Sequence, residues 1–198
     1  MVFSWDTFYS KTFLRLHPDF LFVQTETIRD QAIHFGDYPK DSISITGITQ
    51  YDRYFKKENI PTREDFCNRI GADPKKKIIL YAFSGKAGLG IDFSVVDILY
   101  EAGTHKKISE PVEVLLRPYP RFDFSLEKMG RLTKRYGFLG ERATSSIGTE
   151  RDEWEMDDDA LSLLTGSLAH ADIVITMYST FFIEAAIFDK PLIAIAFD

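Results

Sequence analysis

The stretch from 171 to 198, ADIVITMYSTFFIEAAIFDKPLIAIAFD, admits few folds. Residues 172–177 are rich in β-branched side chains and barely alternate, as a strand buried on both faces should. Tyr178, Ser179 and Thr180 make a turn, and Ser179 or Thr180 is a natural N-cap for a helix starting there. Residues 181–189 have helical spacing with apolar side chains nearly all round, and Glu184 is the only charge before the end. Pro191 stops that helix, and 192–197 reads as a second buried strand. The result is a βαβ unit, so two parallel strands joined by a right-handed crossover are predicted.

The chemistry of this unit lies at its turn. A strand feeding a helix N-terminus aims backbone N–H groups and the positive end of the helix dipole at one spot, which suits an anion. The hydroxyls of Ser179 and Thr180 stand there. Glu184, four residues beyond Thr180, falls on the same helix face about 6 Å further down. A carboxylate so close would repel a phosphate. It suits the paired hydroxyls of a ribose, with the phosphates above it at the helix end. A capping hydroxyl and a solvated glutamate form the other reading, and spacing alone leaves both open.

An aspartate before an apolar run, then Ser-Thr-x-x-x-Glu-Ala from 179 to 185, then Lys-Pro-Leu-Ile-Ala-Ile from 190 to 195, resembles the nucleotide-binding half of GT-B glycosyltransferases. The pattern is similar to bacterial surface-carbohydrate transferases and to the related CDP-glycerol glycerophosphotransferases and UDP-GlcNAc 2-epimerases. The resemblance implies that Ser179 and Thr180 hold a donor diphosphate and that Glu184 holds its ribose. It extends over most of the 198 residues.

Composition narrows the setting. The chain is 44% hydrophobic and 27% charged, with 17 Phe, which supplies enough apolar mass for a core. No apolar run reaches the ~18 residues of a membrane span, and no basic segment followed by an apolar one suggests a signal peptide. One cysteine, Cys67, excludes an internal disulfide and fits a reducing cytoplasm. A net charge of −6 argues against a nucleic-acid partner.

Residues 1–18 have no clean period. Trp5-Asp6 with Ser10-Lys11 resembles a Ser-Trp-Asp…Lys stretch of the same families, and a loop anchored by Trp5 is the plainer reading. A strand at 20–24, a helix at 26–35 capped by Thr25, and a strand at 42–46 closed by Gly47 come next. With the Asp-x-Tyr at Asp52, this resembles the last βαβ of a GT-B N-terminal domain and the start of its linker. Asp52 itself reads as a helix cap. Residues 56–77 are polar, with a helix at 62–70 ended by Gly71, and a boundary is placed near Asp73.

Beyond it, 77–83 is a strand, followed by Ser84-Gly85-Lys86-Ala87-Gly88-Leu89-Gly90. This is not a P-loop, because Lys86 is followed by Ala87 where Ser or Thr is required, and the order G-x-G-x-x-G is absent. Glycines still let the backbone approach a phosphate. By resemblance the loop faces the donor, which makes Ser84, Gly85 and Lys86 binding candidates; a flexible crossover loop is the alternative. A helix at 93–102 leads to a strand at 111–116 ending in Arg117-Pro118-Tyr119-Pro120. Related families often carry Arg-Pro-His-Pro there, with the His tied to phosphate or catalysis. Tyr119 takes that place. Its phenol, with an ordinary pKa near 10, is a poor proton shuttle at neutral pH, and Arg117 remains a phosphate partner. These two are the catalytic candidates.

Residues 125–136 form a basic helix with a solvated face, and 143–149 offers a weak strand. The acids between 150 and 159 suit the start of a helix better than a metal. A helix then runs to His170, whose imidazole at a helix C-terminus is expected to be partly positive.

Strands and helices alternate throughout, so the class is α/β with a parallel sheet. Residues 1–72 are expected to be the end of an N-terminal GT-B domain with its linker. Residues 73–198 are expected to be a five-stranded Rossmann-like, nucleotide-sugar-binding domain, truncated because the chain stops on a central strand. Ser84, Arg117 and Ser179 each follow a strand and should line one sheet edge. The resemblance implies metal-independent transfer from a UDP-sugar, with no cofactor, to a glycan or lipid-linked acceptor. It also leaves peripheral membrane association of the full-length protein open. Half a cleft should bind donor without turnover. A CDP-glycerol glycerophosphotransferase and a non-catalytic nucleotide-binding module are the alternatives.

Overall fold

The computed structural model describes residues 18–84, 89–105, 107–119, 126–141, 146–147, 154–177 and 179–196. The chain divides into two compact units, one ending at Phe55 and the other starting at Lys56. In the first, strand β1 (Leu21–Val23) and strand β2 (Ile43–Ile45) pair in parallel around helix α1 (Glu26–Gly36), the βαβ expected from the sequence. Thr25 starts α1 as foreseen, its hydroxyl accepting from Ile28 N–H at 3.3 Å. Leu21, Val23, Ile28, Ala32 and Tyr38 close a small core of their own.

The second unit begins with helix α2 (Arg63–Ile70) and continues through β3 (Lys77–Ala82), α3 (Leu89–Thr104), β4 (Val112–Arg117), α4 (Leu126–Tyr136), β5 (Leu139–Gly140), β6 (Ser146–Ile147), β7 (Trp154–Glu155), α5 (Asp158–His170), β8 (Ile173–Thr176), α6 (Phe181–Ile187) and β9 (Leu192–Ala194). Five of these strands form one sheet, in the order β5-β4-β3-β8-β9, and every pairing in it is parallel. Renumbered from β3, the order is 3-2-1-4-5, the doubly wound arrangement. On one face, Ile79, Tyr81, Val114, Leu116 and Ile175 pack with Val95, Val96 and Leu99 of α3 and Met129 of α4. By alternation Ile78, Leu80, Leu115 and Val174, all fully buried, point to the opposite face, where α5 packs on β3. Each such side chain contributes about 1.5–3 kcal/mol of burial.

The helix expected at 62–70 is α2, which packs on α5 within the second unit. Arg63 fastens it: its guanidinium donates to the carbonyls of Pro74 at 2.9 Å, His170 at 2.8 Å and Lys76 at 2.6 Å. The fifth sheet strand is β5, whose Gly140 lies under α4; a Cβ there would stand 2.8 Å from Met129 Cγ. The weak strand expected at 143–149 is present as β6, but it pairs antiparallel with β7 and does not join that sheet. Among the described residues β9 is the last strand of the sheet, paired with β8, and its Ile193 is 46% exposed.

Candidate functional site

The carboxyl ends of the sheet strands finish level. Ala82 of β3 stands opposite Arg117 of β4 on one side and Thr176 of β8 on the other, and Thr176 stands opposite Ala194 of β9. Thr176, fully buried, ties the row by donating from its hydroxyl to the Ala82 carbonyl at 3.0 Å. Chain direction splits between β3 and β8: from β3 the connections run toward β4 and β5, from β8 toward β9. Such a split opens a crevice outside the strand ends, where doubly wound sheets take ligands. Ser84 leaves β3 on one side of it, and Ser179 and Thr180 leave β8 on the other.

Ser84 is half-buried and tied inward. Its N–H donates to Asp92 Oδ1 at 3.1 Å and Oδ2 at 3.3 Å, and its hydroxyl donates to Oδ2 at 3.0 Å. Tyr81 adds a third donor, its hydroxyl reaching Oδ1 at 2.6 Å. Asp92, in the first turn of α3, is fully buried. Burial pushes its carboxyl above the usual range, and the bonds from Tyr81 and Ser84 pull it back part of the way. Burial, then the Asp92 bond, drives the Tyr81 phenol far up, so it stays protonated and donating. Gly85 and Lys86 lie outside the described residues, as do Trp5 and Lys11.

Arg117 is level with Ala82 of β3 and, by alternation with Leu116, points to the sheet face opposite the one that carries Tyr81. It is 3% exposed and forms an ion pair with Glu141, which follows β5 and is equally enclosed. The hydroxyl of Ser167 on α5 lies within reach of the Glu141 carboxylate and of the Leu163 carbonyl. Met156 Sδ is 4.0 Å from the guanidinium, and the Phe181 ring, first residue of α6, lies 5.9 Å from its centre. Arg117 therefore meets its counter-charge inside the protein and supports the start of α6 from below. Tyr119, two residues on, is 39% exposed at the edge itself.

At the second side of the crevice, Ser179 caps α6. Its hydroxyl accepts from Phe181 N–H at 3.2 Å and its carbonyl accepts from Phe182 N–H at 3.1 Å. A serine accepting in this way keeps its own hydrogen to donate. Thr180 has helical angles, φ −59° and ψ −13°, with no capping bond from its side chain. Its carbonyl receives Ile183 N–H at 2.9 Å and Glu184 N–H at 3.4 Å, which puts the half-buried Glu184 one turn beyond the hydroxyls, as the spacing indicated.

Two acids of the run have structural partners. Asp157 caps α5, accepting from Ala160 N–H at 2.8 Å, and Asp159 pairs with Arg69 at 2.6 Å. His170 departs from its expected positive charge. Burial lowers its imidazole below the usual value, a trend the bond to the Pro61 carbonyl opposes and the charges of Arg63 and Lys190 reinforce. Neutral, its Nε2–H donates to that carbonyl at 2.7 Å. Sequence reasoning missed Asp92 and Glu141. Each looks like one more surface acid until the fold encloses it.

The sequence matches no protein-family model and no curated protein. Solved structures do share the arrangement. A putative UDP-N-acetylglucosamine 2-epimerase from Listeria monocytogenes is 17% identical, with a TM-score of 0.55 over 89% of this chain and 42% of its own. The S. aureus MnaA–UDP co-structure is 16% identical, with a TM-score of 0.52 over 88% of this chain and 42% of its own. The fold is the Rossmann-like fold of GT-B enzymes. The wall teichoic acid polymerase TagF, in a CDPG soak, is 17% identical, with a TM-score of 0.50 over 88% of this chain and 37% of its own. The chain thus spans well under half the length of the structures it resembles.

Proposed function

We propose that this chain carries the donor-nucleotide site of a glycosyltransferase that uses a UDP-sugar to build a surface polysaccharide or glycolipid. The observation that carries the proposal is the split of chain direction between β3 and β8, with Ser84 following one strand and Ser179, Thr180 and Glu184 following the other. UDP in the MnaA co-structure, a protein of the same fold, adds support. In this reading the hydroxyls of Ser179 and Thr180 meet the diphosphate and Glu184 takes the ribose. As the sugar leaves, negative charge grows on the diphosphate, and donors already in place stabilise it electrostatically. Tyr119 stands at the rim as a hydrogen-bond donor. Arg117 acts through Phe181, holding the start of α6. No metal is needed in this scheme, so nucleotide affinity should survive EDTA.

Catalysis of transfer belongs to a cleft between two halves. Orienting two reactants supplies about 7–11 kcal/mol of a barrier, so the expected behaviour of residues 1–198 is donor binding without turnover. CDP-glycerol is the second donor to consider, since TagF in its CDPG soak shares the fold. Calorimetry decides between the readings. Glu184→Ala should weaken UDP and UMP alike, because both carry the ribose. Changing Ser179 and Thr180 together to Ala should weaken UDP more than UMP. Equal UDP affinity in all three proteins would refute the site, and tighter binding of CDP than of UDP would move the reading to the glycerophosphotransferase side.

A further inference from the structure

The carboxyl end of α5 is crowded with positive charge. Arg63 of α2 donates to the His170 carbonyl at 2.8 Å, and Lys190, which precedes β9, donates to the Ala169 carbonyl at 2.7 Å. Two cations thus already occupy the negative end of the helix dipole, which otherwise favours a protonated imidazole. The acids nearby are committed elsewhere. Asp172, just before β8, pairs with Lys77 of β3 at 3.0 Å and with Arg63 at 3.7 Å, and Glu64 and Asp65 of α2 are exposed. The His170 imidazole is held between these charges and α2. A carbonyl only accepts, so Nε2 carries the hydrogen in the 2.7 Å bond to Pro61. The ring also lies 5.6 Å from that of Phe66, which is 1% exposed. Pro61 leads into α2 and Phe66 lies on it, so both contacts last only while α2 stays packed on α5.

We propose that the seam between α2 and α5 is a proton-sensitive latch, shut while His170 is neutral and opening locally in mild acid. A proton on the closed seam would add a third positive charge beside Arg63 and Lys190. Burial and those two charges hold the imidazole below its usual value, against the bond to Pro61. When α2 lifts, water reaches the ring and the ordinary value of about 6.5 returns. The closed seam is therefore fully favoured above about pH 6.5 and loses stability as pH falls from there through the lower, closed value. One proton changes such an opening equilibrium by at most about tenfold per pH unit. Carboxylates with an ordinary pKa of about 4 are already ionised across this range. Because α2 is the first helix after the division at Lys56, the latch acts on the stretch that joins the second unit to the first. It is independent of the nucleotide site.

The test is hydrogen exchange on residues 1–198, read by mass spectrometry at about pH 7, 6 and 5. With the pH dependence of intrinsic exchange divided out, protection of amides 66–70 should fall at least about threefold from the first pH to the last, inside the limit for one proton. Strands β3 and β8 should hold theirs. His170→Gln, whose amide can still donate to Pro61, should abolish the fall. Protection in α2 that ignores pH, or that falls equally in His170→Gln, would overturn the proposal. So would an equal fall in β3 and β8, which would be unfolding of the whole unit. Should His170→Gln fail to fold, the ring signals of His170 in the NMR spectrum of the wild-type protein decide: titration below about 6.5 supports the latch, and titration at or above it refutes the latch.

Discussion

Replacing Glu141 by Gln should be among the most damaging single changes in the second unit, although it alters only the charge of one side chain. Arg117 and Glu141 have side chains 3% and 0% exposed, so neither charge is met by water. The Gln amide keeps the shape and can still receive the Ser167 hydroxyl, which isolates the effect of charge. Removing one partner of a buried pair costs about 3–5 kcal/mol, because the other is left uncompensated. A domain holds about 5–15 kcal/mol in total, so about a fifth or more of the stability is at stake. In urea, with a slope of about 1–3 kcal/mol per M, the midpoint should fall by more than about 1 M. The deficit should persist between about pH 5 and pH 8, since a guanidinium cannot shed its charge in that range. Changing both residues, Arg117→Met with Glu141→Leu, should recover most of the loss, because an apolar pair of similar volume substitutes well for a buried ion pair. A Glu141→Gln protein within about 1 kcal/mol of wild type would refute the reasoning. It would mean that Arg117 is not committed to Glu141 and is available to a ligand phosphate.

The same geometry sets three other outcomes. Gly166→Ala in α5 should destabilise: the new Cβ would lie 2.6 Å from Phe66 Cδ2 and 2.9 Å from Pro61 Cγ, and overpacking of about 1–3 kcal/mol exceeds the helix-propensity gain of about 1 kcal/mol; a raised melting temperature would refute it. Burial alone would raise the Asp172 carboxyl, but bonds from Ile78 N–H and Lys77 Nζ, with the Lys77 and Arg63 charges, outweigh it and hold it below the usual range. A depressed folded value adds stability above the unfolded pKa of about 4 that is lost as pH falls through the folded value. Asp172→Asn should therefore cost about 1 kcal/mol at neutral pH, and its stability should converge with wild type in acid; a gap unchanged by pH would argue against the charge. Tyr81→Phe removes a donor from buried Asp92 and should cost about 1–3 kcal/mol in chemical denaturation, whereas a neutral result would mean water takes the hydroxyl's place.

Much of this protein is written locally. Thr25 and Thr62 each accept from the helical N–H three residues on, and Gly71 ends α2 at φ 75°, so those helices carry their own boundaries in the sequence. β-Branched runs at 77–82 and 173–176 make strands wherever they are buried, and their alternation with helices makes the sheet parallel. The turn of Ser179, Thr180 and Glu184 was legible for the same reason: its geometry depends on residues three and four apart. What tertiary structure alone decided was the lateral order of strands and everything that depends on it. Nothing local sets two-residue β5 in the sheet in place of the stretch after it. Asp92 meets Ser84 across a strand-to-helix connection, Glu141 meets Arg117 across two strands, and α5 closes over that pair with Ser167. Those contacts turn two residues with the makings of ligand-binding groups inward, because a charge or hydroxyl enclosed by a fold must be satisfied by whatever the fold brings beside it.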